Sequence, residues 1–216
     1  GLVAGTISGI VGTGSSIMMV PVLAAAFGPK EAVPIMAIAS IMGNVGKAFA
    51  WWRLIAWRAC GAYCLTAVPG AALGVRTLLS LPAHAVELAL GLFFIAMIPV
   101  RRWLARRDFR FTPLHLALIG GPVGFVTGIV VSTGPITVPV FMSYGLVKGA
   151  FIATEAAGSL AVYAAKVTAF RSFGALPPSL VWSGLIVGSS VMAGTFAARQ
   201  LLVRMSPQAF RWMVDG

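Results

Sequence analysis

The sequence is short of charge, and of negative charge above all. Charged residues make up 10% of its 216 positions, and only five residues are Asp or Glu. A soluble domain carries about 25% charged residues, so too few are present here to cover a water-facing surface, and an ordinary soluble globular protein is excluded. Histidine and cysteine are as scarce, with two of each. A structural zinc site takes about four ligands. Cys60 and Cys64, four apart on one expected helix, suit neither zinc nor a disulfide and read as small packing residues. His84 and His115 fall at expected helix starts and read as solvated side chains. The sequence also lacks a phosphate-binding Gly-rich loop and a catalytic triad. No metal, no cofactor and no enzymatic activity are expected.

What it has in excess is apolar sequence. Hydrophobic residues reach 59% and the mean hydropathy is +0.94. The expected class is an all-α polytopic membrane protein. The 25 Gly and 13 Pro do not oppose this, because both residues are tolerated in transmembrane helices. The net charge of +11 resembles a nucleic-acid signal, but its distribution does not. Arg101, Arg102, Arg106, Arg107 and Arg110 sit in one short segment, and the other basic residues stand singly, most of them near the ends of apolar runs. That is the pattern of topology-setting loops, and no nucleic-acid partner is expected. The chain starts at Gly1 without Met and stops in an apolar stretch at Gly216, so both ends are expected to be truncated.

Along the chain, the first apolar run, Leu2 to Phe27, is interrupted by Gly12-Thr13-Gly14-Ser15-Ser16. Helices are expected over about Ala32–Trp52 and Ala59–Leu79, and from Pro82 to about Val100. Trp51, Trp52 and Trp57 beside Arg53 and Arg58 read as an interfacial belt. An Arg-rich loop follows over 101–112. A second broken run comes next: Leu114–Val131, the break Ser132-Thr133-Gly134-Pro135, then Ile136–Tyr144. Further helices are expected over Ala150–Phe170, over Leu180–Leu202 and after Pro207.

The second run restarts the first. Gly5 and Gly9 correspond to Gly124 and Gly128, Val20-Pro21 to Val138-Pro139, Lys47 to Lys166 and Arg53 to Arg171, at an offset of 118 or 119 residues. The chain therefore divides into a first transmembrane repeat over 1–100, the Arg-rich loop over 101–112 and a second repeat over 113–216. Each repeat opens with a broken or re-entrant helix pair followed by three transmembrane helices. If each broken segment crosses fully, the repeats are parallel. If each is a re-entrant hairpin, they are inverted. With the Arg-rich loop inside, the inverted arrangement places ten Lys and Arg inside and three outside, against eight and five for the parallel one. The charge rule favours inverted repeats and a cytoplasmic Arg-rich loop.

Paired broken segments point to a transporter site. A helix that begins inside the membrane presents unpaired N–H groups and a partial positive charge to an anion. Gly12 and Gly14 allow close approach, and Thr13, Ser15 and Ser16 add hydroxyl donors. Ser132, Thr133 and Gly134 repeat the device, and Pro135 suits a helix start. The competing reading is a pair of packing kinks. Lys47 and Lys166 lie inside apolar helices, where a Lys costs about 2.5–3.5 kcal/mol to insert. Each either snorkels to the interface or adds cationic attraction beside the helix ends. Asn44 shares a face with Lys47 and offers hydrogen bonds to a substrate. Glu155 is the one acid well inside an expected span; it reads either as a proton-coupling carboxylate or as an acid favoured near a helix start. Gly5/Gly9, Gly70/Gly74 and Gly124/Gly128 are close-packing pairs, assigned to helix contacts within the chain, with homo-oligomerisation as the alternative.

These motifs resemble the sulfite exporter family of TauE/SafE-like transporters. The resemblance rests on Gly5-xxx-Gly9, the break at Gly12 to Ser16 and Val20-Pro21-Val22-Leu23, with a degenerate copy at Gly124, Gly128, Ser132 to Gly134 and Val138-Pro139. The Ala-rich helix from Ala32 through Ser40 also fits. Two features depart from the family: Ser15 and Ser16 stand where its break is richer in glycine, and Pro135 stands where another Gly is usual. The resemblance implies a multi-pass inner-membrane carrier for sulfite or small organosulfur anions, coupled to the proton gradient. Its expected partners are a small anionic substrate and the lipid bilayer. Rival readings are a carrier of small organic carboxylates and a membrane subunit that binds an anion without transporting it.

Overall fold

A computed structural model describes residues 15–106, 110–130 and 133–204. The described residues form α-helices and one short 3-10 turn, with no strand among them. The helices are α1 (Ser15–Phe27), α2 (Pro29–Ala50), α3 (Trp57–Ser80), α4 (Ala83–Arg106), α5 (Pro113–Ile129), α6 (Gly134–Ser143), α7 (Lys148–Ser172) and α8 (Pro178–Arg204). By length and composition, Lys30–Ala50 and Trp57–Ser80 suffice to cross a membrane, and Ala83–Met97, Pro113–Ile129 and Pro178–Gly194 are shorter apolar stretches.

The boundaries follow local chemistry. Gly28 has φ +86°, a backbone conformation that glycine adopts without strain, and turns the chain between α1 and α2. Pro29, Pro113 and Pro178 each open a helix, where the missing N–H costs nothing. Thr112 precedes α5; its N–H donates to Nδ1 of His115 at 3.3 Å, so that histidine closes a helix start rather than standing free. Two boundaries differ from expectation. Ser15 and Ser16, expected in the first break, begin α1, in keeping with the preference of Ser for helix starts. The segment from Arg101, expected as loop, stays helical to Arg106, since Arg, Leu and Ala are good helix formers and no Gly or Pro stops it. The expected site positions Gly12, Thr13, Gly14 and Ser132, and the helix after Pro207, lie outside the described residues.

Three contacts gather one end of the bundle. The Trp51 ring, just after α2, lies where a Cβ on Gly149 of α7 would sit only 2.8 Å away. The Ala56 N–H, just before α3, donates to Oγ1 of Thr154 on α7 at 2.9 Å. The Phe111 N–H, just before α5, donates to the carbonyl of Ser143, the last residue of α6, at 2.9 Å. That last bond brings together the two outer ends of the broken segment, so α5 and α6 form a hairpin.

Packing is tightest where side chains are smallest. The main contacts pair α3 with α5, α2 with α8, α2 with α7 and α3 with α7. Along α3 and α5, Gly70 and Gly74 face Gly121, Phe125 and Gly128, while Gly120 and Gly124 face Tyr63, Thr66 and Ala67. With a glycine on one side of each contact, or on both as at Gly74 and Gly128, the backbones approach closely, and Oγ1 of Thr66 donates to the Ala117 carbonyl at 2.5 Å. These glycine pairs therefore serve contacts within the chain. On α8, Gly184 and Gly188 similarly receive Ile38, Ala39 and Met42 of α2. Two apolar clusters result. One includes Val33, Met36, Leu78 and Phe170; the other includes Tyr63, Leu116, Phe141 and Phe151.

Candidate functional site

Polar side chains are few inside this bundle, and those present converge on the break between α5 and α6 and on the facing parts of α2 and α7. Buried polar residues include Asn44, Lys47, Thr127, Thr133, Thr137, Glu155 and Lys166. Every fully buried side-chain nitrogen and oxygen among the described residues has a hydrogen-bond partner.

At the break, α5 ends at Ile129 and Val130 continues in extended conformation. Thr133 occupies the N-cap position of α6, where its side chain closes no helix N–H. Its hydroxyl instead pairs with that of Thr127 at 2.5 Å, tying the start of α6 to the end of α5. The N–H groups of Ile136 and Thr137 both return to the Thr133 carbonyl, and Pro135 has no N–H to offer. The end of α6 thus carries the partial positive charge of a helix start but fewer free donors than a glycine-rich break implies.

Lys166 on α7 reaches this break. Its Nζ donates to the carbonyls of Thr127 at 2.6 Å and Val130 at 2.7 Å. The side chain is completely buried, and Lys47 is nearly so at 7% exposed. Burial replaces the snorkelling reading for both.

Glu155 is the eighth residue of α7, beyond the first turn, and 4% exposed. Its Oε1 accepts from Ser159 at 2.9 Å and from Thr137 of α6 at 3.4 Å. Lys47 of α2 acts on it electrostatically. Residues of α2, α6 and α7 therefore act on one carboxylate. Asn44 is buried one turn before Lys47. The two lysines do not converge on one point: Lys166 is eleven residues beyond Glu155 on α7 (166 − 155), about 16 Å along the axis.

Sequence reasoning missed Thr127, Thr137 and Ser159. The signals were present: Thr127 stands 119 residues after Ser8, hydroxyl for hydroxyl, and Thr137 and Ser159 each lie one helical turn after a residue already singled out, Thr133 and Glu155. Cys60 and Cys64 are free thiols, their sulfurs 3.9 Å apart, with Cys64 donating to the Gly158 carbonyl at 3.8 Å. Among the described residues no group of three His, Cys, Asp or Glu is placed to hold a metal.

Comparison with known proteins gives one match. The sequence profile of the family described as sulfite exporter TauE/SafE covers residues 1–216. No curated protein and no solved structure matches the chain.

Proposed function

The chain belongs to the sulfite exporter TauE/SafE family, a family of membrane transporters, and from that premise we propose that it carries sulfite or a small organosulfur anion across the inner membrane, coupled to the proton gradient. The observation that carries the reading is the buried charged and polar set, Lys47, Glu155, Thr137 and Asn44, beside a helix that starts inside the bundle. Such residues are costly in an apolar interior and mark ion or substrate paths.

The hairpin of α5 and α6 supports inverted repeats. Under the correspondence of Lys47 with Lys166, α2 answers to α7 and α3 to α8. The contact of α2 with α8 then has its counterpart in that of α7 with α3. In that arrangement Arg53, Arg58, Arg101, Arg102, Arg106, Arg110 and Lys148 fall at one end, and Lys30, Arg76 and Arg171 at the other. The basic end is the cytoplasmic one by the charge rule.

Depth follows from length. The ten residues of α6 span about 15 Å, half of a hydrocarbon core of about 30 Å. Its N-terminus, with Thr133 and Gly134, therefore lies near mid-membrane, where transporters of repeated fold bind their cargo. With Pro135 and the returning N–H groups limiting backbone donors, attraction rests on the helix dipole, Lys47 and the Asn44 amide. Glu155, held by Lys47 and two hydroxyls, is the group positioned to exchange a proton as an anion enters or leaves. Rocking of one repeat against the other exposes the site to each side in turn.

The test is flux in liposomes with and without an imposed proton gradient, using labelled sulfite, a sulfonate and acetate. Gradient-dependent movement of the sulfur anions supports the reading. Preference for acetate replaces it with a carboxylate carrier. Correctly folded protein that moves no anion overturns it in favour of a non-transporting anion-binding subunit.

A further inference from the structure

We propose that Lys166 is a positioning residue, closing the C-terminal end of α5 and so fixing the break from which α6 begins. The proposal rests on the reading of that break as part of the transport site, but it stands on separate geometry. A helix that ends inside a bilayer leaves its last carbonyls without water to bond. At the end of α5, the Val130 N–H returns to the Val126 carbonyl. The Thr127 and Val130 carbonyls are taken by the Lys166 ammonium at 2.6 and 2.7 Å. In its ammonium form the donor makes both bonds of the stronger, charge-assisted kind, with the positive charge at the negative end of the helix dipole. The Thr127 hydroxyl then pairs with Thr133, whose carbonyl accepts from the N–H groups of Ile136 and Thr137 in the first turn of α6. An unbroken chain of bonds runs from α7 through the end of α5 to the start of α6. Two of the three ammonium protons are committed to backbone, so Lys166 shapes the site and does not serve chiefly as its cationic ligand. Lysine has the reach, the donors and the charge to do this from a neighbouring helix; methionine has only the reach.

The experiment is amide hydrogen exchange on the full chain in nanodiscs, without added anion, for the wild type, Lys166→Met and Lys166→Gln, together with thermal stability and sulfite flux. With Lys166 as the cap, amides over 133–141 exchange faster in Lys166→Met by about tenfold or more, while Lys166→Gln, which keeps N–H donors, recovers part of the loss. Stability falls in the same order, and a Lys166→Met chain too unstable to purify is the extreme of that result. A lysine serving only as ligand predicts the opposite sign. Removing a buried charge from the empty protein then leaves it as stable or more so, leaves exchange unchanged and raises only the KM for sulfite. That outcome overturns the proposal. Because exchange is read without substrate, a wild type that moves no sulfite while the exchange difference persists defeats the transport reading and leaves the cap standing.

Discussion

Replacing Gly124 by alanine adds one methyl group at the tightest point of the bundle. Its Cβ would overlap the Ala67 carbonyl oxygen and sit 2.6 Å from the Ala67 Cα and 2.7 Å from its carbonyl carbon. Carbon atoms rest at about 3.5–4.0 Å, so α3 and α5 must separate locally by about 1 Å. The obstacle is backbone, and no side chain can rotate out of the way. Separation also loosens the neighbouring approach of Gly74 to Gly128 and stretches the 2.5 Å bond from Thr66 to the Ala117 carbonyl. Overpacking of this kind costs about 1–3 kcal/mol. For a chain of 150–250 residues, about 2–4 °C of Tm is lost per kcal/mol, so a fall between about 2 and 12 °C is expected. Gly61, on the same α3 with nothing within 4 Å of its Cβ position, is the control. Its alanine variant is expected to match the wild type or exceed it slightly, because alanine is the better helix former. The assay is thermal unfolding of purified protein in detergent, followed by size-exclusion fluorescence. Equal Tm for Gly124→Ala, Gly61→Ala and wild type would refute the close packing of α3 on α5.

The remaining predictions concern the buried polar set. Glu155→Gln keeps an oxygen for Ser159 and Thr137 but loses the exchangeable proton, so sulfite flux in liposomes is expected to lose its response to a proton gradient; a retained response removes Glu155 from coupling. Lys47→Met removes the charge that acts on Glu155, and a lowered Tm is expected. The double variant Lys47→Met/Glu155→Gln is expected to recover much of that Tm, and strictly additive losses would deny the pairing. Thr154→Val leaves the Ala56 N–H unpaired, since that amide donates to Oγ1 of Thr154 at 2.9 Å; about 1–3 kcal/mol is expected, read as lowered Tm with unchanged KM for sulfite.

The helices were legible because apolar runs, prolines and glycines punctuate this chain at nearly every boundary, and a helix in an apolar medium must satisfy its own backbone. The glycine pairs were legible as packing devices for the same reason: their spacing has one use on a helix face. The jobs of Lys47 and Lys166 were not. Spacing made them equivalent, and equivalence suggested a shared cationic site. Which carbonyls a lysine meets depends on how the break beside it is closed, and that is fixed by non-local contacts. Val130 leaves helical conformation and Thr133 turns its hydroxyl back to Thr127, which exposes two carbonyls to α7. Pro135 shows the same limit from the other side. Sequence marks it correctly as a helix start, yet the number of donors left at that start depends on where the next N–H groups turn, and both turn inward to Thr133. A broken helix read from sequence therefore marks where the chain turns back and not which side chains surround the turn. The polar groups that act on Glu155 come from one turn or one helix away, Thr137, Ser159 and Lys47.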